Sequence, residues 1–262
     1  MLEKLAVVRD RVLDNGAIAA GETLLDVGCG NGLIAFGALE RGAGEVIFSD
    51  ISGPLLDECR ELAGAAGLLD RCRFVEAPAD HLAEIADESI SVVTTRSVLI
   101  YVEDKERALR GFHRVLRPHG RISLFEPINR FGIEERRCTW GYALDDATDL
   151  MQKVNVIFDK IQPPTDPMID FDERDLLACA ERAGFFPIKL DYRAEIEPPE
   201  AKSWETFMHS SGNPKIPTFD EAMDEALTPD EREDLTAVLR PAVEEGLGVW
   251  RMGTAYLWAV KP

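Results

Sequence analysis

The sequence predicts an α/β protein with a doubly wound, mostly parallel seven-stranded sheet and helices on both of its faces. Two observations carry this prediction. Over the first 130 residues, short apolar runs alternate with segments of helical apolar spacing. These runs are apolar on both faces, as parallel strands are when helices cover them.

Five strands are predicted in this part, each a short apolar run between turn residues: 23–27, 45–49, 72–76, 90–95 and 121–125. Helices are predicted between them near 31–41, 54–66 and 104–116. The last helix has a one-sided apolar stripe that includes Ala108, Leu109 and Phe112, and Pro118 and Gly120 end it.

The second half continues the sheet but interrupts it twice. A helix near 172–183 and strands at 186–196 and 254–260 extend the pattern. Residues 127–171 carry an apolar stripe on one helix face, and residues 198–250 hold two helices with capping-box starts at Thr218 and Thr228. We therefore divide the chain into a core (1–130), a helical insertion (131–171), a core helix and strand (172–197), a second insertion (198–250) and a closing strand (251–262). The insertions are expected to form a lid, and the second could instead form a dimer interface.

Composition excludes several classes of protein. The 262 residues include 29 basic and 48 acidic side chains, a formal net charge of −19, so the phosphates of a nucleic acid would find few cations. No apolar run approaches the roughly 20 residues that cross a bilayer, and residues 1–21 lack the parts of a signal peptide. The five cysteines form no CxxC pair, which predicts neither a metal site nor a disulfide framework. We expect a cytoplasmic protein without nucleic-acid or membrane partners.

The strongest chemical signal is the segment LLDVGCGNG at residues 24–32. Gly28, Gly30 and Gly32 follow a strand and precede a helix, where glycines let backbone amides approach a ligand at the positive end of the helix dipole. Asp50 ends the next strand, where a carboxylate can accept hydrogen bonds from both hydroxyls of a ribose. The alternative is that the glycines form only a tight strand–helix turn.

The spacing of the glycines bears on which nucleoside binds. A nicotinamide or flavin site needs G-x-G-x-x-G, and its third glycine would fall at Leu33. Asp26 stands two residues before the first glycine, where its carboxylate can accept from loop amides or from a cationic amino group of the ligand. This pattern resembles the class I S-adenosylmethionine-dependent methyltransferases, in particular the small-molecule branch that includes the ubiquinone/menaquinone methyltransferases.

The resemblance covers residues 20–130 well and implies a Rossmann-like fold with S-adenosylmethionine as the cofactor and S-adenosylhomocysteine as its product. It places the loop from Gly28 to Gly32 against the methionine part of the cofactor. Asp50 would hold the ribose, with Ile51 beside the adenine. The other cofactor positions that the resemblance implies are Ala79 and Asp80 at the adenine, and the backbone of Thr95 and Arg96 at the methionine moiety. In the family's L-x-P-G-G segment, His119 of LRPHG replaces a glycine.

Two of these residues have simpler interpretations. Asp80 could cap a helix that starts at His81, which is compatible with adenine binding. Arg96 could be a surface ion-pair residue.

Candidates on the acceptor side lie beyond the carboxyl ends of the fourth and fifth strands, where ligands bind in open α/β sheets. They are Arg96, Tyr101, Glu126 and Asn129. Relatives often carry a histidine at the position of Tyr101, which weakens the case for a general base there. In the insertions, His209 is a further candidate, and wall material comes from aromatic and methionine side chains: Trp140, Tyr142, Phe158, Trp204, Phe207 and Met208.

The sequence thus predicts methyl transfer to a small-molecule acceptor by in-line displacement. Three alternatives remain. A non-catalytic partner or sensor protein would bind S-adenosylmethionine or S-adenosylhomocysteine without methylating anything. Arsenite methylation would need several cysteine thiolates, and only Cys138 lies in an insertion. A nicotinamide oxidoreductase is disfavoured by Leu33. A homodimer is compatible with all of these.

Overall fold

A computed structural model of the chain describes residues 2–133, 139–144, 147–211 and 216–262, with side chains from residue 5 onward. In these residues seven strands form one sheet in the order β3-β2-β1-β4-β5-β7-β6. The strands are β1 (Thr23–Val27), β2 (Glu45–Asp50), β3 (Cys72–Glu76), β4 (Ile90–Arg96), β5 (Leu116–Pro127), β6 (Ile188–Glu197) and β7 (Trp250–Val260).

The sheet is mixed but mostly parallel, which confirms the predicted fold class. The pairs β1–β2, β2–β3, β1–β4 and β4–β5 are parallel, and β5–β7 is antiparallel. Strand order reverses between β1 and β4, because the chain first winds outward to β3 and then returns to the other side of β1. Ligands of open α/β sheets bind beyond the carboxyl ends of the strands at such a switch point. The glycine loop follows β1 at this place.

The structure divides into two compact units, which we describe separately. The first, the sheet unit, comprises Met1–Pro127, Phe171–Tyr192 and Thr254–Pro262. Its helices are α1 (Leu2–Gly16), α2 (Leu33–Glu40), α3 (Gly53–Ala65), α4 (Lys105–Val115) and α6 (Glu173–Arg182), with 3₁₀ turns at Leu69–Arg71 and Leu99–Tyr101. Val12, Leu24 and Phe48 lie in its core and are fully buried.

The second, the helical unit, comprises Ile128–Asp170 and Arg193–Gly253. It contains a 3₁₀ turn at Asn129–Gly132 and the helices α5 (Thr148–Ile161), α7 (Trp204–His209), α8 (Phe219–Ala226) and α9 (Pro229–Glu245). The predicted capping boxes at Thr218 and Thr228 are confirmed, since each Thr hydroxyl accepts from the third amide and each Glu side chain returns to the Thr backbone. The expectation that these segments act as a lid stays a prediction.

Several boundaries differ from the prediction. Helix α1 and the short α7 were not predicted; α1 packs closely on α2, since a Cβ at Gly37 would lie 2.9 Å from Leu13. Strand β5 begins at Leu116 instead of residue 121, because Leu116 already pairs with Ile90 before the register shifts. His119 has φ of 63°, a left-handed conformation that favours the glycine it replaces. None of the described helices combines the length and apolar character that a bilayer crossing requires.

Candidate active site

In the glycine loop, two of the three glycines have no room for a side chain. Gly28, Gly30 and Gly32 all have positive φ, at 64°, 54° and 80°. A Cβ at Gly28 would lie 2.4 Å from Val98, and one at Gly32 would lie 2.6 Å from Phe36. At Gly30 nothing lies within 4 Å of the Cβ position. The first and third glycines therefore serve packing, and the second leaves open space beside the loop backbone.

Asp50 joins the end of β2 to this loop. Gly30 N donates to Asp50 Oδ2 at 2.8 Å, and Ser52 N donates to Asp50 Oδ1 at 3.0 Å. Each carboxylate oxygen has a further lone pair, so both can still accept a hydroxyl. Ile51, the next residue, is 73% exposed and offers an apolar surface beside this carboxylate. The structure thus brings together the glycine and the acid that the sequence paired.

Ser49 contacts the glycine loop and was not singled out by the sequence analysis. It is buried directly before Asp50, and its carbonyl accepts from Cys29 N in the glycine loop at 2.9 Å. Its Oγ has no hydrogen-bond partner among the described residues. A serine inside an apolar strand produces no pattern, so only the structure identifies this unpaired hydroxyl, a feature that calls for a functional or structural explanation.

Asp26 links strand β1 to β4 and α2. Its buried carboxylate accepts from Thr94 Oγ1 at 2.8 Å and from Ala35 N at 3.2 Å. It therefore binds the adjacent strand β4 and the first turn of α2, and its described partners include no loop amide. Burial raises the pKa of Asp26 to about 7, partly opposed by these two hydrogen bonds and by the charge of Arg96. Asp26 is a positioning residue for the start of α2.

Glu126 lies at the end of β5 and is also buried. Its Oε1 accepts from Thr95 Oγ1, Val98 N and Leu99 N, each at 3.1 Å, and its Oε2 accepts from Ile100 N at 3.3 Å. Burial raises its pKa to about 7, partly opposed by these four hydrogen bonds. Glu126 therefore positions the segment after β4, and its role on the acceptor side stays a prediction.

The segment after β3 approaches Asp50 through its backbone. Ala77 N donates to the carbonyl of Asp50 at 3.0 Å, Ala79 is buried and Asp80 is partly buried. No helix starts at His81, because residues 79–80 form a turn and 81–82 are irregular. The alternative that Asp80 caps a helix is therefore wrong, and the predicted contact of Asp80 with the adenine stays a prediction.

The acceptor-side candidates are distributed over both units. Tyr101 ends the 3₁₀ turn that Glu126 holds and is 54% exposed, and Arg96 at the end of β4 is partly buried. In the helical unit, His209 Nε2 lies 3.2 Å from Glu205 Oε1, and His209 Nδ1 lies 3.8 Å from Asp220 Oδ2. His209 is thus an exposed histidine with carboxylates of two helices beside it.

No metal site is found in the part of the chain that the structure describes, where His, Cys, Asp and Glu side chains form no group of three. Cys138 lies outside the described residues. Cys29 in the glycine loop and Cys59 beside it are buried, and burial raises the pKa of both thiols. Raised pKa values keep thiols protonated, which disfavours thiolate chemistry at this pair.

Comparison with known proteins agrees with the geometry. Residues 25–124 match the model of a methyltransferase domain family. The ubiquinone/menaquinone biosynthesis C-methyltransferase UbiE of Klebsiella pneumoniae is 34% identical over 116 residues, which cover 44% of this chain and 46% of that protein. The methyltransferase GfsG of Streptomyces halstedii is 31% identical over 118 residues, 45% of this chain and 42% of that protein. The chain thus spans less than half the length of these relatives.

Solved structures share the fold along most of the chain. The cyclase SpnF matches with a TM-score of 0.59 and 22% identity, covering 98% of this chain and 81% of that one. Geranyl diphosphate methyltransferase in complex with S-adenosylmethionine matches with a TM-score of 0.58 and 15% identity, covering 98% and 85%. Residues 25–124 therefore match a methyltransferase domain, and the resemblance of this chain to the class I S-adenosylmethionine-dependent methyltransferases is confirmed.

Proposed function

We propose that this protein transfers a methyl group from S-adenosylmethionine to a small-molecule acceptor. The observation that carries the proposal is the hydrogen bond of 2.8 Å between Gly30 N and Asp50 Oδ2, at the point where the strand order of the sheet reverses. It joins an open glycine backbone to a carboxylate that keeps acceptor capacity. This is the pair that a ribose-bearing ligand with a cationic amino-acid tail needs.

The residues of the sheet unit fit this cofactor as follows. Asp50 would accept hydrogen bonds from the two ribose hydroxyls, and the exposed side chain of Ile51 would contact the adenine. Asp80, with Ala79 beside it, would accept from the adenine amino group. The backbone of the loop around Gly30 would contact the methionine part, together with the backbone of Thr95 and Arg96. Open space at the Gly30 Cβ position supports this arrangement.

The chemistry needs little from side chains. When bound, the cofactor would supply a methyl group that its sulfonium activates for transfer, with S-adenosylhomocysteine as the leaving group. What the chain contributes is proximity, alignment and exclusion of water. Asp26 fixes α2 behind the loop, and Glu126 fixes the turn that carries Tyr101. A proton acceptor is needed only where the acceptor must lose a proton.

Calorimetric titration of the ligand-stripped protein with S-adenosylmethionine, S-adenosylhomocysteine and NADH tests the cofactor assignment. We expect micromolar binding of both adenosyl compounds and none of NADH. Asp50→Ala should weaken S-adenosylhomocysteine binding about ten- to hundredfold, or roughly 1–3 kcal/mol, because the ribose hydrogen bonds are lost.

Asp57→Ala is the matched control, since Asp57 is an exposed residue of α3 paired with Arg60. Its affinity should equal that of the unmodified protein. Equal affinity in Asp50→Ala, with its fold verified by thermal unfolding, would contradict the role given to Asp50. Loss of binding in both variants would point to a general effect of removing charge.

A non-catalytic binding or sensor protein is the second candidate. It is favoured by the commitment of the Glu126 carboxylate to four donors, which leaves no buried carboxylate for proton removal at the end of β5. Incubation with methyl-labelled S-adenosylmethionine and a metabolite extract distinguishes the two. Labelled product supports methyl transfer, whereas tight binding without product supports the sensor.

The remaining attributes also stay predictions: a cytoplasmic location, a small-molecule partner without nucleic acid, and a homodimer as one arrangement in solution. The location is supported by free thiols at all four described cysteines.

A further inference from the structure

The helical unit contains a cavity of about 430 Å³. All of its described lining residues belong to this unit. The volume lies within the range of about 300–1,000 Å³ that is usual for small-molecule pockets. Six aromatic side chains contribute to its wall: Trp140, Tyr142, Phe158, Phe207, Phe219 and Trp250.

The aromatic wall is held in place by contacts between its own members. The Trp140 ring lies 4.7 Å from Phe158 and 5.4 Å from Phe219, both edge to face, and Phe207 lies 4.8 Å from Phe219. Trp140 Nε1 donates to Oδ1 of the buried Asn155 at 2.7 Å. Rings fixed in this way are preorganised, so a ligand does not have to order them on binding.

Charge restricts the ligand that this wall can hold. Among the described lining residues only Lys202 and Asp159 are charged, and their charges are of opposite sign. A phosphorylated ligand prefers several cations or a bidentate arginine, which this lining does not supply. Ring-containing ligands gain both area burial and edge-to-face or offset-stacked contacts from such a wall.

One lining residue of the cavity is close in sequence to the carboxyl end of β5. Asn129 lines the cavity and follows Pro127, the last residue of β5, by two positions. Its Nδ2 donates to the carbonyl of Met168, a second lining residue, at 3.1 Å. Asn129 therefore contributes to the lining of the cavity beside the aromatic wall.

We infer that this cavity is the acceptor site and that the acceptor is a neutral, apolar, ring-containing molecule. The inference rests on the proposed methyl transfer and names the substrate class of that reaction. Phosphorylated acceptors are excluded as the preferred class.

Calorimetry with 1-naphthol as a neutral ring probe and phosphocholine as a charged probe tests the inference on the full chain. We expect 1-naphthol to bind and phosphocholine not to bind. Ser210→Phe places a ring at a lining position and should weaken 1-naphthol binding at least tenfold. Gln162→Phe, at another lining position, should do the same and serves if the first variant does not fold.

The matched control is Thr206→Phe, because Thr206 is an exposed residue of α7 that carries a hydroxyl and does not line the cavity. Its affinity for 1-naphthol should be unchanged. S-adenosylhomocysteine is titrated in parallel, because its binding reports on the sheet unit alone.

The outcomes separate the two claims. Selective loss of 1-naphthol binding in the two filled variants, with S-adenosylhomocysteine binding retained, supports the inference. Binding of S-adenosylhomocysteine without 1-naphthol, or preference for phosphocholine, overturns the acceptor class and leaves the proposed function standing. Absence of S-adenosylhomocysteine binding overturns the proposed function and the acceptor assignment with it. In the labelled extract, product that partitions into the aqueous phase instead of ethyl acetate also overturns the acceptor class.

Discussion

The buried carboxyl of Glu126 makes the stability of the sheet unit depend on pH in a way that one substitution should remove. Its pKa is raised from 4.5 to about 7, mainly by burial. The folded state therefore binds the proton more tightly than the unfolded state. The resulting contribution to stability is complete below pH 4.5 and is lost as pH rises through 7.

The magnitude follows from the two pKa values. One pKa unit corresponds to about 1.4 kcal/mol, so the full effect is about 3 kcal/mol. Roughly 2 kcal/mol of this stabilisation should be lost between pH 5.5 and pH 8. The chain keeps a large negative net charge in this range. Glu126→Gln has nearly the same shape but does not titrate. It turns one oxygen into a donor beside Ile100 N, which costs about 1–3 kcal/mol at every pH.

Urea unfolding at pH 5.5 and pH 8, monitored by a spectroscopic signal from the sheet unit, measures this effect. The free energy of unfolding of the unmodified protein, minus that of Glu126→Gln, should fall by about 2 kcal/mol between the two pH values. Asp26, whose pKa is raised to the same value, contributes equally to both proteins and cancels in the difference. A difference that is the same at both pH values would refute the argument that Glu126 takes up its proton on folding.

Two further predictions concern the glycine loop and the helical unit. Gly28→Ala should destabilise the protein by about 1–3 kcal/mol in urea unfolding, because its Cβ would lie 2.4 Å from Val98. Gly67→Ala has a similar positive φ but open space, so it carries the backbone cost alone; an equal loss in both would show that the contact with Val98 is unimportant. Glu231 has a pKa lowered to about 2, first by its hydrogen bond with Lys153 and then by those with Thr228. The contribution of Glu231 to stability is present above pH 4.5 and is lost as pH falls towards 2. Glu231→Gln should therefore reduce the pH sensitivity of helical-unit unfolding in this range. An unchanged acid transition, measured by circular dichroism, would contradict this prediction.

Sequence reasoning succeeded where one pattern dictates one structure. The parallel core strands are apolar on both faces, and helices alternate with them, so the doubly wound sheet could be predicted directly. The capping boxes at Thr218 and Thr228 depend only on residues three apart, and both are present in the structure. The glycine loop and Asp50 could be paired from their places after successive strands, because neighbouring parallel strands end at the same edge of the sheet.

The role of a polar group depends on which partners the fold brings to it. Only the tertiary structure decided those partners. The sequence marked Asp26 and Glu126 as ligand-side carboxylates, yet both are buried and bind protein donors contributed by other strands, helices and turns. Ser49 had no sequence signal, because only the folded chain shows that no hydrogen-bond partner lies near its hydroxyl among the described residues. The aromatic cavity likewise forms from two chain segments far apart in the sequence. The sequence by itself determined the sheet and the glycine loop, since these depend on local pattern, and its resemblance to a known family indicated the cofactor. The assignment of binding and positioning roles required long-range contacts.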